Sequence, residues 1–158
     1  MSVFVGAEGF QLEKQFVVKE LYLLAVEGPD HRHFFFKAPL MHLSMAHRRT
    51  IRYCTRYIHE LSWSEGDVPY SCVYPILKKM ENMVLYCYGN ATANFLRAVL
   101  PTSVVVDTQA EGYQMPHVIP DKPCFCQHNT RHCAAAKAHA IRAHVLGGDL
   151  GVEVTEIE

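Results

Sequence analysis

The sequence has no long apolar run, no excess of charge of one sign and only one tryptophan. A membrane-spanning helix needs about 20 consecutive apolar residues, and no stretch reaches that length, so we expect no contact with a membrane. The first residues also lack a basic segment followed by a long apolar one. We therefore expect no signal peptide and an intracellular location, cytoplasmic or nuclear. The formal net charge of −1 provides no general attraction to nucleic acids.

The composition is that of an ordinary globular protein. Of 158 residues, 49% are hydrophobic and 20% are charged, which allows one domain with a real core. We expect that single domain over residues 1–146 and a flexible acidic tail over residues 147–158.

The apolar patterns predict an α/β fold. Residues 1–15 read as an irregular lead-in, and two apolar strands then form a hairpin. Helices and a β-α-β unit follow, which favours a mixed sheet flanked by helices. We expect Asp67 to cap the second helix and Pro75 to kink it. The expected strands are 15–26, 31–39, 82–89 and 103–109, and the expected helices are 44–59, 68–80, 90–101 and one from residue 131.

The most informative stretch is "CFCQHNTRHCAAAK", residues 124–137. It holds three cysteines and two histidines within ten residues. In a reducing compartment such thiols are free or bind metal. Sulfur and imidazole are the donors that zinc prefers. His139 and His144, further along the last helix, are expected to face solvent.

A buried acid would be the second unusual feature. Glu20 is the one acid inside the strand "VVKELYLL". Acids are seldom buried unless they are paired or bind a metal. Glu20 is therefore either a solvent-facing residue of an edge strand or part of a site.

The order of elements resembles the DnaQ family of exonucleases, which have a ribonuclease H-like fold. In that family the first strand carries an acid-x-acid pair for two magnesium ions, and a His-x4-Asp motif opens the last helix. Here Glu20 matches the first acid, Tyr22 stands at the second, and Asn94 at a third. Cys133 follows His128 at the spacing of the final acid. The fold usually has a third strand in its opening meander, for which "LMHLSM" is the only candidate. A site that has lost carboxylates and gained sulfur ligands prefers zinc to magnesium.

The stretches "VVKELYLL", "ELSWSEGDVPY", "VVVDTQAEG" and "CFCQHNTRHCAAAK" resemble the Maelstrom domain. That domain is DnaQ-like, with a Glu-Cys-His-Cys set in place of the acidic cluster, and the resemblance spans roughly residues 15–145. It implies one structural zinc. The implied ligands are Glu20, Cys126, His128 and Cys133, with Cys124 and His132 as alternates. A set of Cys124, Cys126, His128 and Cys133 would need no Glu20, and a chain without metal is the remaining interpretation.

These features favour a binding module over an enzyme. A four-ligand zinc site leaves no open position for catalysis, so we expect a degenerate fold that binds RNA, for example a single strand, or a protein. The alternatives are an enzyme, either a ribonuclease that uses Glu20, Asp107 or His128 or a zinc hydrolase, and a viral or transposon accessory factor that binds host proteins. Trp63 is either a core anchor or a base-stacking residue. Four arginines of the first helix are either a solvated face or phosphate-binding residues: Arg48, Arg49, Arg52 and Arg56.

Overall fold

A computed structural model describes residues 1–116 and 133–157, with side chains as far as Gly147. Within these residues five strands form one mixed sheet in the order β3-β2-β1-β4-β5. The pairs β1–β2 and β2–β3 are antiparallel, and β1–β4 and β4–β5 are parallel. The α/β class and the mixed sheet are therefore confirmed. The strands are β1 (Ser2–Leu12), β2 (Gln15–Ala25), β3 (His31–Phe35), β4 (Val84–Cys87) and β5 (Val104–Asp107); the helices are α1 (Met45–Tyr57), α2 (Val73–Lys78), α3 (Asn90–Val99) and α4 (Ala134–Ile157).

The prediction of an irregular lead-in was wrong, because residues 2–12 form β1 at the centre of the sheet. Gly6, Glu8 and Gly9 interrupt the apolar alternation on which the prediction depended. β1 is the strand that was missing from the expected opening meander of three strands. The stretch "LMHLSM", the candidate for that strand, is a loop that leads into α1. Glu20 consequently belongs to the second strand of the chain and not to the first.

The β1–β2 hairpin contains a bulge. Glu8 pairs with Glu20 and Gly9 with Val18, so Lys19 is passed over in the register. A Cβ atom on Gly9 would collide with the backbone of Val17, which explains the glycine at this position. The bulge also breaks the strict alternation of faces that a regular strand has, since Val18 packs on the opposite face of the sheet from Tyr22.

Helices cover both faces of the sheet. Helices α2 and α3 pack on one face over Val5, Leu21 and Leu85. The start of α4 packs on the other face over Phe4 and Tyr22. The inner side of α1 closes the end of the hairpin at Phe10, Leu12 and Val17.

The second helix was predicted to begin at residue 68, and this start was wrong. Val68 is extended and bridges to Phe36, a 3₁₀ turn follows over Tyr70–Cys72, and α2 begins only at Val73. Asp67 therefore does not cap α2. Pro75 lies in the first turn of the helix, where its missing N–H has no intrahelical partner to lose, and not in the middle of a helix that it would kink.

Within the described residues, no helix is both long enough and apolar enough to cross a lipid bilayer. The predicted domain limits, residues 1–146 with a tail over residues 147–158, stay a prediction, and so does the intracellular location.

Candidate functional site

The carboxylate of Glu20 lies at the beginning of α4. Glu20 is fully buried on β2, and its Oε1 accepts the backbone N–H of Ala134 at 3.0 Å. Ala134 is the first residue of α4, so a carboxylate from a distant strand occupies the N-terminal end of this helix. Helix N-termini favour negative charge, because their first N–H groups lack partners within the helix.

Gly6 allows α4 to approach the sheet this closely. A Cβ atom at Gly6 would collide with the carbonyl group of Ala134. The backbone of α4 therefore lies directly on β1, one strand away from Glu20. No other residue type fits there without moving the helix.

Cys133 precedes Ala134 and is fully buried. The hydrogen bond between Ala134 and Glu20 spans 114 positions of the sequence, so the fold brings the predicted ligands Glu20 and Cys133 into one neighbourhood. Four other candidate ligands lie outside the described residues: Cys124, Cys126, His128 and His132. In the part of the chain that the structure does describe, no group of three His, Cys, Asp or Glu side chains is placed to hold a metal ion.

Glu20 and Cys133 have donor types that belong to the zinc set implied by the resemblance, a carboxylate and a thiol. Each is a buried potential donor, and a carboxylate oxygen that accepts one hydrogen bond retains a second lone pair. Sulfur with carboxylate oxygen is an accepted combination around zinc.

His33 contacts the same carboxylate, and the sequence analysis did not select it. Its Nε2 lies 2.7 Å from Glu20 Oε2, and its ring packs edge-on against Tyr22. Tyr22 and His33 are paired in the β2–β3 register. The predicted hairpin placed His33 on the strand next to β2, but only the observed register, which pairs Tyr22 with His33, brings it to Glu20.

Tyr22 joins a cluster of histidines between β2, β3 and α4. Its hydroxyl lies 3.0 Å from His139 Nε2, and its ring stacks on His31 with centroids 4.9 Å apart. Burial raises the pKa of Tyr22, an effect that the charge of Arg142 opposes. Burial, followed by the charges of Arg142 and His31, lowers the pKa of His139. This interface therefore favours neutral side chains.

The expectation that His139 faces solvent was wrong, since it is half-buried against Tyr22. His144 is exposed as expected, and its ring stacks on Tyr113. Helical periodicity alone did not separate the two histidines, because the alanine-rich helix shows no strong apolar side.

A second acid faces α4 one strand away. Glu8 is directly opposite Glu20 in the register, and it forms an ion pair with Lys137 of α4. Only 6% of the Glu8 side chain and 17% of the Lys137 side chain are exposed. The pair lies beside a cavity of about 280 Å³ that Asn90 and Gln109 also line. Glu8 was not predicted as a site residue because residues 1–15 were expected to be irregular.

The other residues that the exonuclease comparison singled out have structural partners or face solvent. Asp107 Oδ1 accepts the backbone N–H groups of Gly89 at 2.8 Å and Gln109 at 3.0 Å, which fixes the junction between β4 and α3. Asn94 is exposed, and its amide lies 3.3 Å from Asn90 Oδ1.

The outer face of α1 is cationic. Its four arginines are all exposed, and the helix contains no acid. Within the described part of the chain, no ion pair joins any of them to a carboxylate. Ile51 and Cys54 hold the opposite side of the helix against the hairpin. Trp63 packs edge-on against Phe10 at 5.4 Å, in agreement with the core-anchor interpretation.

The sequence was compared with models of known protein families and with curated proteins, and neither comparison produced a match. The site must therefore be interpreted from its own geometry.

Proposed function

We propose that this chain is a catalytically inactive ribonuclease H-like domain that carries one structural zinc ion and binds RNA through the outer face of α1. The strand order supports this fold. A three-stranded antiparallel meander is followed by two parallel strands and a closing helix, which is the arrangement that the resemblance to the DnaQ family implies.

The Glu8–Lys137 ion pair supports the absence of nuclease chemistry. Two-metal hydrolysis requires several carboxylates that converge on the metal ions. Here the acid of the first strand is already neutralised by an ammonium group from the last helix. A divalent cation would have to displace Lys137, and Asp107 is fixed by two backbone N–H groups.

Zinc would have a structural role. Glu20 and Cys133 would bind it together with Cys126 and His128, and such a closed set stabilises a fold without opening a position for substrate. Because Glu20 belongs to β2 and Cys133 adjoins α4, the site would fasten the last helix to the sheet.

The observation that carries the binding function is the cationic face of α1, whose arginines form no ion pair with any carboxylate of the described residues. Arg48, Arg52 and Arg56 follow one another at intervals of four residues, so neighbouring members of this row repel each other. Each such like-charge pair costs about 0.2–0.5 kcal/mol of helix stability. An RNA backbone would relieve this repulsion, because arginine forms charge-assisted hydrogen bonds with phosphate. The overall charge is −1, so the chain without these four arginines has no net positive charge to attract a polyanion.

The test is the binding of a short fluorescent single-stranded RNA to the full chain, followed by anisotropy at several salt concentrations. The variant Arg48→Glu/Arg52→Glu should bind at least about tenfold more weakly, and its salt dependence should be shallower by about 0.7 per lost phosphate contact. The matched control is Lys37→Glu/Lys79→Glu, which makes the same charge change at exposed positions elsewhere. Absence of binding by the unaltered chain, or an equal loss in the control, would contradict the proposal.

A further inference from the structure

We infer that Tyr53 and Tyr57 of α1 form a platform on which unpaired bases stack, so that this surface takes single-stranded RNA and not duplex RNA. The inference rests on the RNA-binding function proposed above and goes beyond it, because cationic side chains alone do not distinguish the two forms. The surface that combines these two tyrosines with the arginines is called the α1 face.

Both tyrosine rings are available to a ligand. Tyr53 is 57% exposed and Tyr57 is 64% exposed, so a large part of each side chain is accessible to a ligand. Neither packs in the hydrophobic cluster that holds α1, which uses Ile51 and Cys54. The two tyrosines therefore contribute little to the core and are available for contact with a ligand.

The rings and the charges run side by side along the helix. Tyr53 and Tyr57 are four residues apart, with ring centroids separated by 5.3 Å. Arg48, Arg52 and Arg56 form a neighbouring row with the same spacing. Residues at this spacing lie on one side of an α-helix, so a row of cations adjoins a row of rings. This is the combination that binds single strands, in which arginines follow the backbone and aromatic rings stack on bases.

One arginine also fixes a ring. The guanidinium carbon of Arg56 lies 5.4 Å from the centroid of the Tyr57 ring, which is within the range of a cation–π contact. This contact holds a phosphate-binding group next to one stacking surface. A strand could then place its backbone along the arginines and turn its bases toward the tyrosines.

A duplex cannot use such a platform. Its bases are stacked on one another and paired, so their faces are closed to side chains. Only unpaired bases can cover Tyr53 and Tyr57. The α1 face would then meet a duplex through its arginines alone.

The experiment compares three probes on the full chain: a short single-stranded RNA, the duplex of the same sequence, and inorganic polyphosphate, which has charge but no bases. The variant Tyr53→Leu/Tyr57→Leu removes the rings and keeps apolar side chains at exposed positions. Its affinity for the single strand should fall at least about tenfold, while its affinity for polyphosphate stays unchanged. The unaltered chain should prefer the single strand to the duplex by a similar factor.

Two controls isolate stacking from other effects. Tyr53→Phe/Tyr57→Phe keeps the rings and should bind the single strand as the unaltered chain does. Tyr74→Leu removes another exposed tyrosine, on α2, and should also leave binding unchanged. Circular dichroism and thermal unfolding should show that all three variants remain folded.

The possible failures are distinguishable. If the leucine variant binds the single strand normally while Arg48→Glu/Arg52→Glu does not, stacking is refuted and the RNA-binding function stands. If the unaltered chain binds none of the three probes, both are refuted, and a protein partner becomes the occupant to test on the α1 face. Equal affinity for single strand and duplex would also refute the stacking platform.

Discussion

Glu8 of β1 and Lys137 of α4 form an ion pair in the layer between sheet and helix, with little access to solvent. Glu8 is also opposite Glu20 in the sheet, and Glu20 accepts the first N–H of the same helix. Two carboxylates on adjacent strands thus point toward successive turns of α4. One receives an ammonium group and the other a helix N-terminus, so both negative charges are compensated by the same helix.

Removal of the ammonium group should therefore destabilise the domain. Lys137→Met leaves Glu8 buried beside an apolar side chain, and breaking a buried pair in this way costs about 3–5 kcal/mol. Urea denaturation should show the loss as a lower midpoint. The double variant Glu8→Gln/Lys137→Met removes both charges and should recover a large part of the difference. Equal stability of Lys137→Met and the unaltered chain would show that the pair contributes little.

The close approach of α4 to β1 predicts a strong effect of one methyl group. Gly6→Ala places a Cβ atom on the Ala134 carbonyl group, so α4 must shift away from the sheet. We expect a loss of about 2 kcal/mol or more in the free energy of unfolding, in the range typical of overpacked interfaces. Gly147→Ala is the matched control, because a Cβ atom there meets no neighbouring atom and alanine is the better helix former. It should leave stability unchanged or raise it slightly.

These two predictions also show where sequence reasoning reached its limit. The helix α1 was found within two residues at each end from the helical spacing of its apolar residues. Of these, Ile51 and Cys54 pack against the hairpin, whereas Met45, Tyr53 and Tyr57 are exposed. β1 was missed because Gly6 and Gly9 weaken the strand pattern. The reasons for both glycines, a helix above one and a bulge at the other, exist only in the assembled sheet.

The candidate site was predictable to a similar extent. Glu20 and Cys133 were selected by residue type and motif, and the fold does bring them to the same end of α4. His33 and Lys137 were not selected, although both contact a buried acid. A lone histidine in a strand and a lone lysine in a helix carry no distinctive pattern. Their partners become evident only once the register of β1, β2 and β3 is known.

The histidine cluster predicts a loss of stability in mild acid. Burial lowers the pKa of His139, so the folded state binds a proton less readily than the unfolded state, whose value is about 6.5. The unfolded state therefore holds more protons as the pH falls through and below this value, and this contribution to the free energy of unfolding decreases. His139→Gln should reduce the pH dependence of the urea midpoint between neutral and mildly acidic pH. His42→Gln, at an exposed position, should not change it. If the two variants behave alike, the His139 assignment is wrong.

The buried ammonium group of Lys19 predicts how the stability of the fold changes at alkaline pH. Its ammonium group donates to the carbonyl oxygens of Trp63 at 2.7 Å and Glu65 at 2.6 Å. Burial lowers the pKa of Lys19 to about 8, and the charge of Glu65 opposes the decrease. Between this value and about 10.4, the value for an exposed lysine, the unfolded state binds more protons, so this group adds stability as the pH rises. Lys19→Met should flatten the dependence of the urea midpoint on pH in this window, whereas Lys79→Met, at an exposed position, should leave it as it is.

The zinc proposal gives the last prediction, which concerns metal content and not activity. The purified chain should contain about one zinc ion, and a strong chelator should lower its unfolding temperature, because a structural zinc contributes directly to folding. Glu20→Gln and Cys133→Ser should each reduce the zinc content, since each removes an anionic ligand. Cys72→Ser, at a half-buried cysteine on the 3₁₀ turn before α2, is the control and should retain the metal. If the zinc content stays at one in Glu20→Gln but falls in Cys133→Ser, the ligands come from the cysteine-rich segment alone. Glu20 would then serve only as the carboxylate that receives the N-terminus of α4.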